Sequence, residues 1–161
     1  MELKEQLRMA QVKRYPICFT NREQSVAEHS FGVMLITMEL CKFIDDRDVM
    51  DCALAYALTH DQDEVFTGDI PSPFKRELRA KCPAVTEHLD PQRPVPAVVK
   101  AIVKLADNLE AIHYLNEYGG SRFADEVLED IHVNFESQLK KCETVLPWGL
   151  LSAARELGQT I

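Results

Sequence analysis

No run of apolar residues in this chain approaches the roughly 20 that a membrane-spanning helix requires. No two cysteines have CxxC spacing. The five stand at positions 18, 41, 52, 82 and 142, an odd set without the pattern of a zinc knuckle. Cys41 and Cys52 fall in apolar helical stretches, where free thiols act as small hydrophobes. Sustained strand alternation, internal repeats and low-complexity tracts are all missing. Positive charge is scarce as well. Eighteen Lys and Arg against 26 Asp and Glu leave a net charge of -8, which argues against a broad nucleic-acid surface and a nucleic-acid polymer as partner. The opening Met1-Glu2-Leu3-Lys4-Glu5 lacks a signal-peptide pattern, so the expectation is a reduced, cytoplasmic protein with no membrane contact.

What is present is enough for one domain with a sizeable core: 161 residues, 46% of them apolar. Leu3, Leu7 and Ala10 predict a short amphipathic helix over 2–12, ended by Lys13-Arg14-Tyr15-Pro16. Ser25-Val26-Ala27-Glu28 is a capping box, and the helix it opens is expected to run to about Ile44. Asp45-Asp46-Arg47-Asp48 starts another, with Val49, Ala53, Tyr56, Ala57 and His60 inward. Residues 68–96 are broken by Gly68 and six prolines. Short helical turns are expected there near 74–81 and 84–89, in what would be a mobile lid. A long helix is expected from Pro96 to Tyr118. Gly119-Gly120 stops it, and Ser121 caps the next, which runs to about 142. A last short helix begins at Pro147, and its Trp148 with Leu150-Leu151 is expected to form an apolar surface suited to a homo-oligomer. The fold class is all-α, a single domain over 1–161.

One stretch stands out. After the apolar run ending Ala57-Leu58 come His60-Asp61-Gln62-Asp63-Glu64-Val65-Phe66-Thr67-Gly68-Asp69-Ile70-Pro71. It passes abruptly from core-like to acidic and is then stopped. His29 lies within the inward stripe of the preceding helix, three after Val26 and four before Val33. Two inward histidines on neighbouring helices, the later one followed by Asp, favour a metal site. Further on, Lys104 and Asp107 are three apart and share one helix side.

The order His29, His60-Asp61, Asp107 resembles the HD-domain metal-dependent phosphohydrolases, with their H…HD…D pattern on separate helices. The likeness covers roughly residues 10 to 115. Lys13-Arg14-Tyr15-Pro16, Ser25-Val26-Ala27-Glu28-His29-Ser30, the stretch from His60 to Pro71, and Lys104-Leu105-Ala106-Asp107 look more narrowly like the bacterial 5'-deoxynucleotidases and the phage dATP triphosphohydrolases. The resemblance implies an HD-type helical bundle and a divalent metal (Zn, Co, Mn or Mg) on His29, His60, Asp61 and Asp107. Such an ion would acidify a water and neutralise phosphoryl charge, and a triphosphate would bring a second one. Asp61 and Glu64 are then the catalytic carboxylates, with Glu64 as general base or orienting group. Arg14, Lys75 and Lys104 would contact phosphates, Tyr15 and Asp69 the sugar, and Ser72, Pro73 and Phe74 the base. Tyr15 stands where relatives often carry Trp.

The expected partner is a deoxynucleotide cut at its 5'-oxygen–phosphorus bond. Freeing phosphate from a dNMP and triphosphate from a dNTP break the same bond, so the catalytic residues do not separate the two. The short Asp61–Asp107 segment favours the dATP triphosphohydrolase over the 5'-deoxynucleotidase. A degenerate HD module that only binds nucleotide or metal should have lost a ligand or Glu64, and all five are here. No Gly-Tyr-Pro triplet follows the HD pair, which disfavours a cyclic-dinucleotide phosphodiesterase.

Overall fold

The computed structural model describes residues 1–82 and 94–161, with the backbone alone at Ser72 and Pro73. Its helices are α1 (Leu3–Gln6), α2 (Val26–Leu40), α3 (Arg47–Thr59), α4 (Glu64–Thr67), α5 (Ser72–Lys81), α6 (Ala97–Tyr118), α7 (Arg122–Cys142) and α8 (Trp148–Thr160). Among the described residues there are only two isolated β-bridges, Lys13 with Ser25 and Thr20 with Gly119. The fold is an all-α helical bundle. Among the described residues, no helix is long and apolar enough to cross a membrane.

Helix α6 is the axis of the bundle, and α2, α3, α7 and α8 pack around it. Its Ile102, Leu105, Leu109 and Ile112 are fully buried, as are Val33 and Leu40 of α2 and Ala53 and Ala57 of α3. Each large side chain buried in this way contributes roughly 1.5–3 kcal/mol. The buried residues of α6 lie on nearly every side of its axis, the pattern of a helix enclosed by others.

The helix starts follow the sequence closely. Ser25 caps α2 with both capping-box bonds made, Asp46 accepts from Asp48 and Val49, and Ser121 accepts from Ala124. Other expectations need correcting. The N-terminal helix is one α turn followed by a 3-10 segment, Leu7–Gln11. Leu3 and Leu7 face solvent and Met9 is the buried residue, because tighter winding rotates the face that an α spacing would turn inward. Helix α2 also ends earlier, passing into a 3-10 turn at Cys41–Phe43. Leu150 and Leu151 are not surface residues: both are buried, and of the large apolar side chains of α8 only Trp148, 77% exposed, stands out. That helix is 13 residues long rather than short. The turn of helix near 74–81 is α5. The one expected near 84–89 lies outside the described residues.

Candidate metal centre

Helix α3 ends at Thr59, and the chain turns through His60-Asp61-Gln62-Asp63 before the single turn of α4. Gly68, at φ 71°, reverses the backbone after it, a conformation that costs glycine little. This break puts His60 and Asp61 at a helix end facing α2 and α6. There His29, His60 and Asp61 converge, each offering a ligand atom within 4.8 Å of the others. Asp107 of α6 completes the ring from the far side, its Oδ1 3.2 Å from His29 Nε2. Three of the four anticipated ligands thus form the tight group, and the fourth abuts it.

Both imidazoles are oriented from behind. His60 Nδ1 donates to the Ala57 carbonyl at 2.8 Å, and His29 Nδ1 is bonded to Glu110 Oε2. These bonds leave the two Nε2 atoms aimed into the centre, buried and without a hydrogen-bond partner. An Asp107 oxygen lies 3.2 Å from His29 Nε2 without hydrogen-bond geometry, and an Asp61 oxygen, at 3.6 Å, is beyond hydrogen-bond reach. Buried nitrogens that face carboxylates without bonding them are what ligands of a shared cation look like. The donor set fits a divalent first-row ion.

The electrostatics agree. Burial pushes the Asp61 carboxyl upward, but His60 and His29 hold it below the usual range. Burial likewise opposes ionisation of Asp107, and Lys104 and His29 overcome it, leaving that group well below. Both are therefore anions near neutrality, as ligands must be. Glu64 goes the other way. Its side chain is 2% exposed, and burial together with Asp61 pushes its carboxyl up to about 7 despite Lys75 at 2.5 Å. A carboxyl poised near neutral pH beside a metal site suits proton transfer.

Lys104 Nζ sits 2.6 Å from Asp107 Oδ2. Lys75, Lys104, His60, Asp61 and Asp107 all line one cleft of about 570 Å³. Arg14, Tyr15 and Asp69 do not line it. The Arg14 guanidinium is behind the centre, on Gln24, His29 and Glu110. Tyr15 adopts φ 54°, pinned by its N–H donating to Asp69 Oδ2 at 2.8 Å. Its ring stacks on Tyr114, centroids 5.5 Å apart, and burial pushes its hydroxyl up to about 12. Phe74 is exposed; the side chains of Ser72 and Pro73 are outside the described residues. His113 is exposed and His132 half-buried, away from the centre, and His88 lies outside the described residues.

The 5'-deoxynucleotidase YfbR-like family matches residues 4–88, which include His29, His60, Asp61 and Glu64. The chain belongs to this family. This YfbR-like protein is 32% identical to the dATP triphosphohydrolase of Acinetobacter phage SH-Ab 15497, over 91% of this chain and 84% of the relative. It is 33% identical to the dATP triphosphohydrolase of Salmonella phage PMBT28, over 88% and 79%. Its fold superimposes on the cyanophage S-2L HD phosphohydrolase DatZ, bound to dA and one catalytic Zn2+ ion, with TM-score 0.82 and 25% identity. That alignment covers 99% of this chain and 95% of DatZ. The YfbR-like chain is thus a metal phosphohydrolase of the HD type, as its motifs imply.

Two residues escaped the sequence reading. Glu110 bonds His29, Arg14 and Gln24 at once, and Gln24 Nε2 donates to its Oε1 at 2.5 Å. The available signal was spacing: Glu110 is three residues after Asp107 and shares its side of α6.

Proposed function

We propose that this protein hydrolyses deoxynucleoside triphosphates, dATP foremost, at the 5'-oxygen–phosphorus bond, giving deoxynucleoside and triphosphate. The observation that carries the reading is the pair of buried, unpartnered Nε2 atoms of His29 and His60 facing Asp61 and Asp107. The dATP triphosphohydrolases similar over most of the chain support the choice of substrate.

His29, His60, Asp61 and Asp107 would hold the ion, which when bound supplies positive charge to the phosphoryl group and an acidified water. Glu64 takes a proton at its carboxylate, whose Oε2 is without a hydrogen-bond partner, and passes it to the leaving 5'-oxygen. Lys75 and Lys104 lie in the cleft where they can turn from their carboxylates to phosphate oxygens. Arg14 fixes His29 through Glu110 and adds positive charge from behind. Tyr15 and Asp69, tied together, offer a ring and a carboxylate to the sugar. Ser72 and Pro73 remain the proposed base contacts, and a second ion would accompany the triphosphate. The name of the matched family favours a second reading, hydrolysis of dNMPs. Trp148 and Phe43, both exposed beside Gly149, support a homo-oligomer.

A screen of dNMPs, dNTPs and NTPs with Mn, Co, Zn or Mg, read by chromatography, tests the reading. Triphosphate released from dATP is expected; phosphate released only from dNMPs would select the nucleotidase. Asp61→Ala should abolish hydrolysis and weaken metal binding while the helical circular dichroism is retained. Full activity in that variant, or after exhaustive chelation, would sink the assignment.

A further inference from the structure

Four cations line the cleft beside the candidate metal centre, in matched pairs on two helices. Lys75 and Arg79 are four residues apart on α5, and Lys100 and Lys104 are four apart on α6. That spacing stacks two side chains on one helix face, their Cβ atoms about 5–6 Å apart. The inner member of each pair rests on an acid of the centre, Lys75 on Glu64 and Lys104 on Asp107. Arg79 and Lys100 are the outer members, both exposed, one helical turn along.

Among the described residues, the lining sets these four cations against Asp61, Asp63 and Asp107, with Glu64 behind Lys75 as a fourth carboxylate. In a chain of net charge -8, acids are here matched by cations, and a divalent ion would tip the balance to positive. Arg79 and Lys100 stand four residues beyond the inner pair, about 6 Å along each helix axis, the direction in which phosphates beyond the first would extend. The geometry points to Arg79 and Lys100 as the seat of the β- and γ-phosphates of a deoxynucleoside triphosphate. Arg79 offers a planar fork for two phosphate oxygens and Lys100 a mobile point charge. This assignment rests on the proposed hydrolysis of triphosphates and adds the residues that tell a triphosphate from a monophosphate.

The test is the double variant Arg79→Gln/Lys100→Gln, whose two positions are exposed, with folding checked by melting. Inorganic tripolyphosphate and orthophosphate are titrated into the metal-loaded wild type and variant by calorimetry. Tripolyphosphate should bind the variant about tenfold or more weakly, as loss of a charge-assisted hydrogen bond implies. Orthophosphate binding should stay within about twofold, and the KM for dATP should rise by the same factor as the tripolyphosphate Kd. Unchanged tripolyphosphate affinity would overturn the inference, and so would an equal loss for orthophosphate, which marks general attraction. Wild-type protein that releases no triphosphate from dATP would instead overturn the functional reading, and the titrations report on the outer pair regardless.

Discussion

Glu64 is the residue where stability and chemistry pull apart. Its folded-state carboxyl titrates near 7, against an ordinary 4.5, because burial and Asp61 outweigh Lys75. A carboxyl whose folded pKa is raised binds its proton more tightly in the fold than in the unfolded chain. Stability is therefore greatest below about 4.5, falls as pH rises toward 7, and stays reduced above. In metal-free protein, Glu64→Gln should melt higher than wild type at pH 8, and the gap should close on acidification toward pH 5. The same substitution should lower kcat about 10²–10⁴-fold, the usual worth of a general acid or base. Thermal melts in chelator and steady-state rates check the two halves. At this scale the convergence of His29, His60, Asp61 and Asp107 was legible from sequence, because imidazoles and carboxylates at inward positions are rare without a reason. Glu110 was not, because one acid among Leu109, Ala111 and Ile112 shows its role only when Arg14, Gln24 and His29 arrive from elsewhere in the chain.

At the scale of elements, the crossing of α2 and α6 sets the metal centre. Gly32, one turn after His29, lies against Glu110: a Cβ there would meet Glu110 Cγ at 2.8 Å. Alanine in a helix interior is ordinarily about 1 kcal/mol better than glycine. Here the Glu110 carboxylate is held by three partners and has nowhere to retreat. Gly32→Ala should displace Glu110, release the His29 ring and weaken metal affinity about 10–100-fold, the usual cost of losing an orienting partner. Competition with a chromophoric chelator measures it, and unchanged affinity would show that the crossing has slack. Helix starts were readable because capping is local: Ser25, Asp46 and Ser121 each satisfy donors two or three residues ahead. The winding of the N-terminal segment was not. Leu7–Gln11 turns as a 3-10 helix to seat Met9 against Val26 and Val65, a choice made by tertiary contact.

For the whole molecule, the 3.6-residue periodicity was enough to read an all-α bundle. It did not say which helix would be central, so Leu150 and Leu151 were taken for surface when they belong to the core. The cleft was also invisible, since its walls come from α3, the turn and α4 after it, α5, α6 and α7, brought together only by folding. The centre joins α2, α6 and the turn after α3, so its ion should brace the bundle. Binding to the folded chain alone stabilises it by about 2.7 kcal/mol at a free metal concentration a hundredfold above Kd. For a chain of this size, chelation should lower the melting temperature by roughly 5–10 °C. A scan with and without chelator reads this directly, and coincident melts would mean that the ion does not cross-link the helices.

The two lysines that rest on Glu64 and Asp107 have a wider consequence. Without substrate, each ammonium already has a carboxylate at 2.5 or 2.6 Å, so the site carries its own counterions. In the proposed reaction, phosphate would not enter an open positive hole; it would exchange places with an internal anion. Each exchange would free a carboxylate at the moment that phosphate arrives, Glu64 for its proposed proton and Asp107 for the proposed cation. Substrate entry would then be an arming step: the act of binding would release the groups that the proposed chemistry uses.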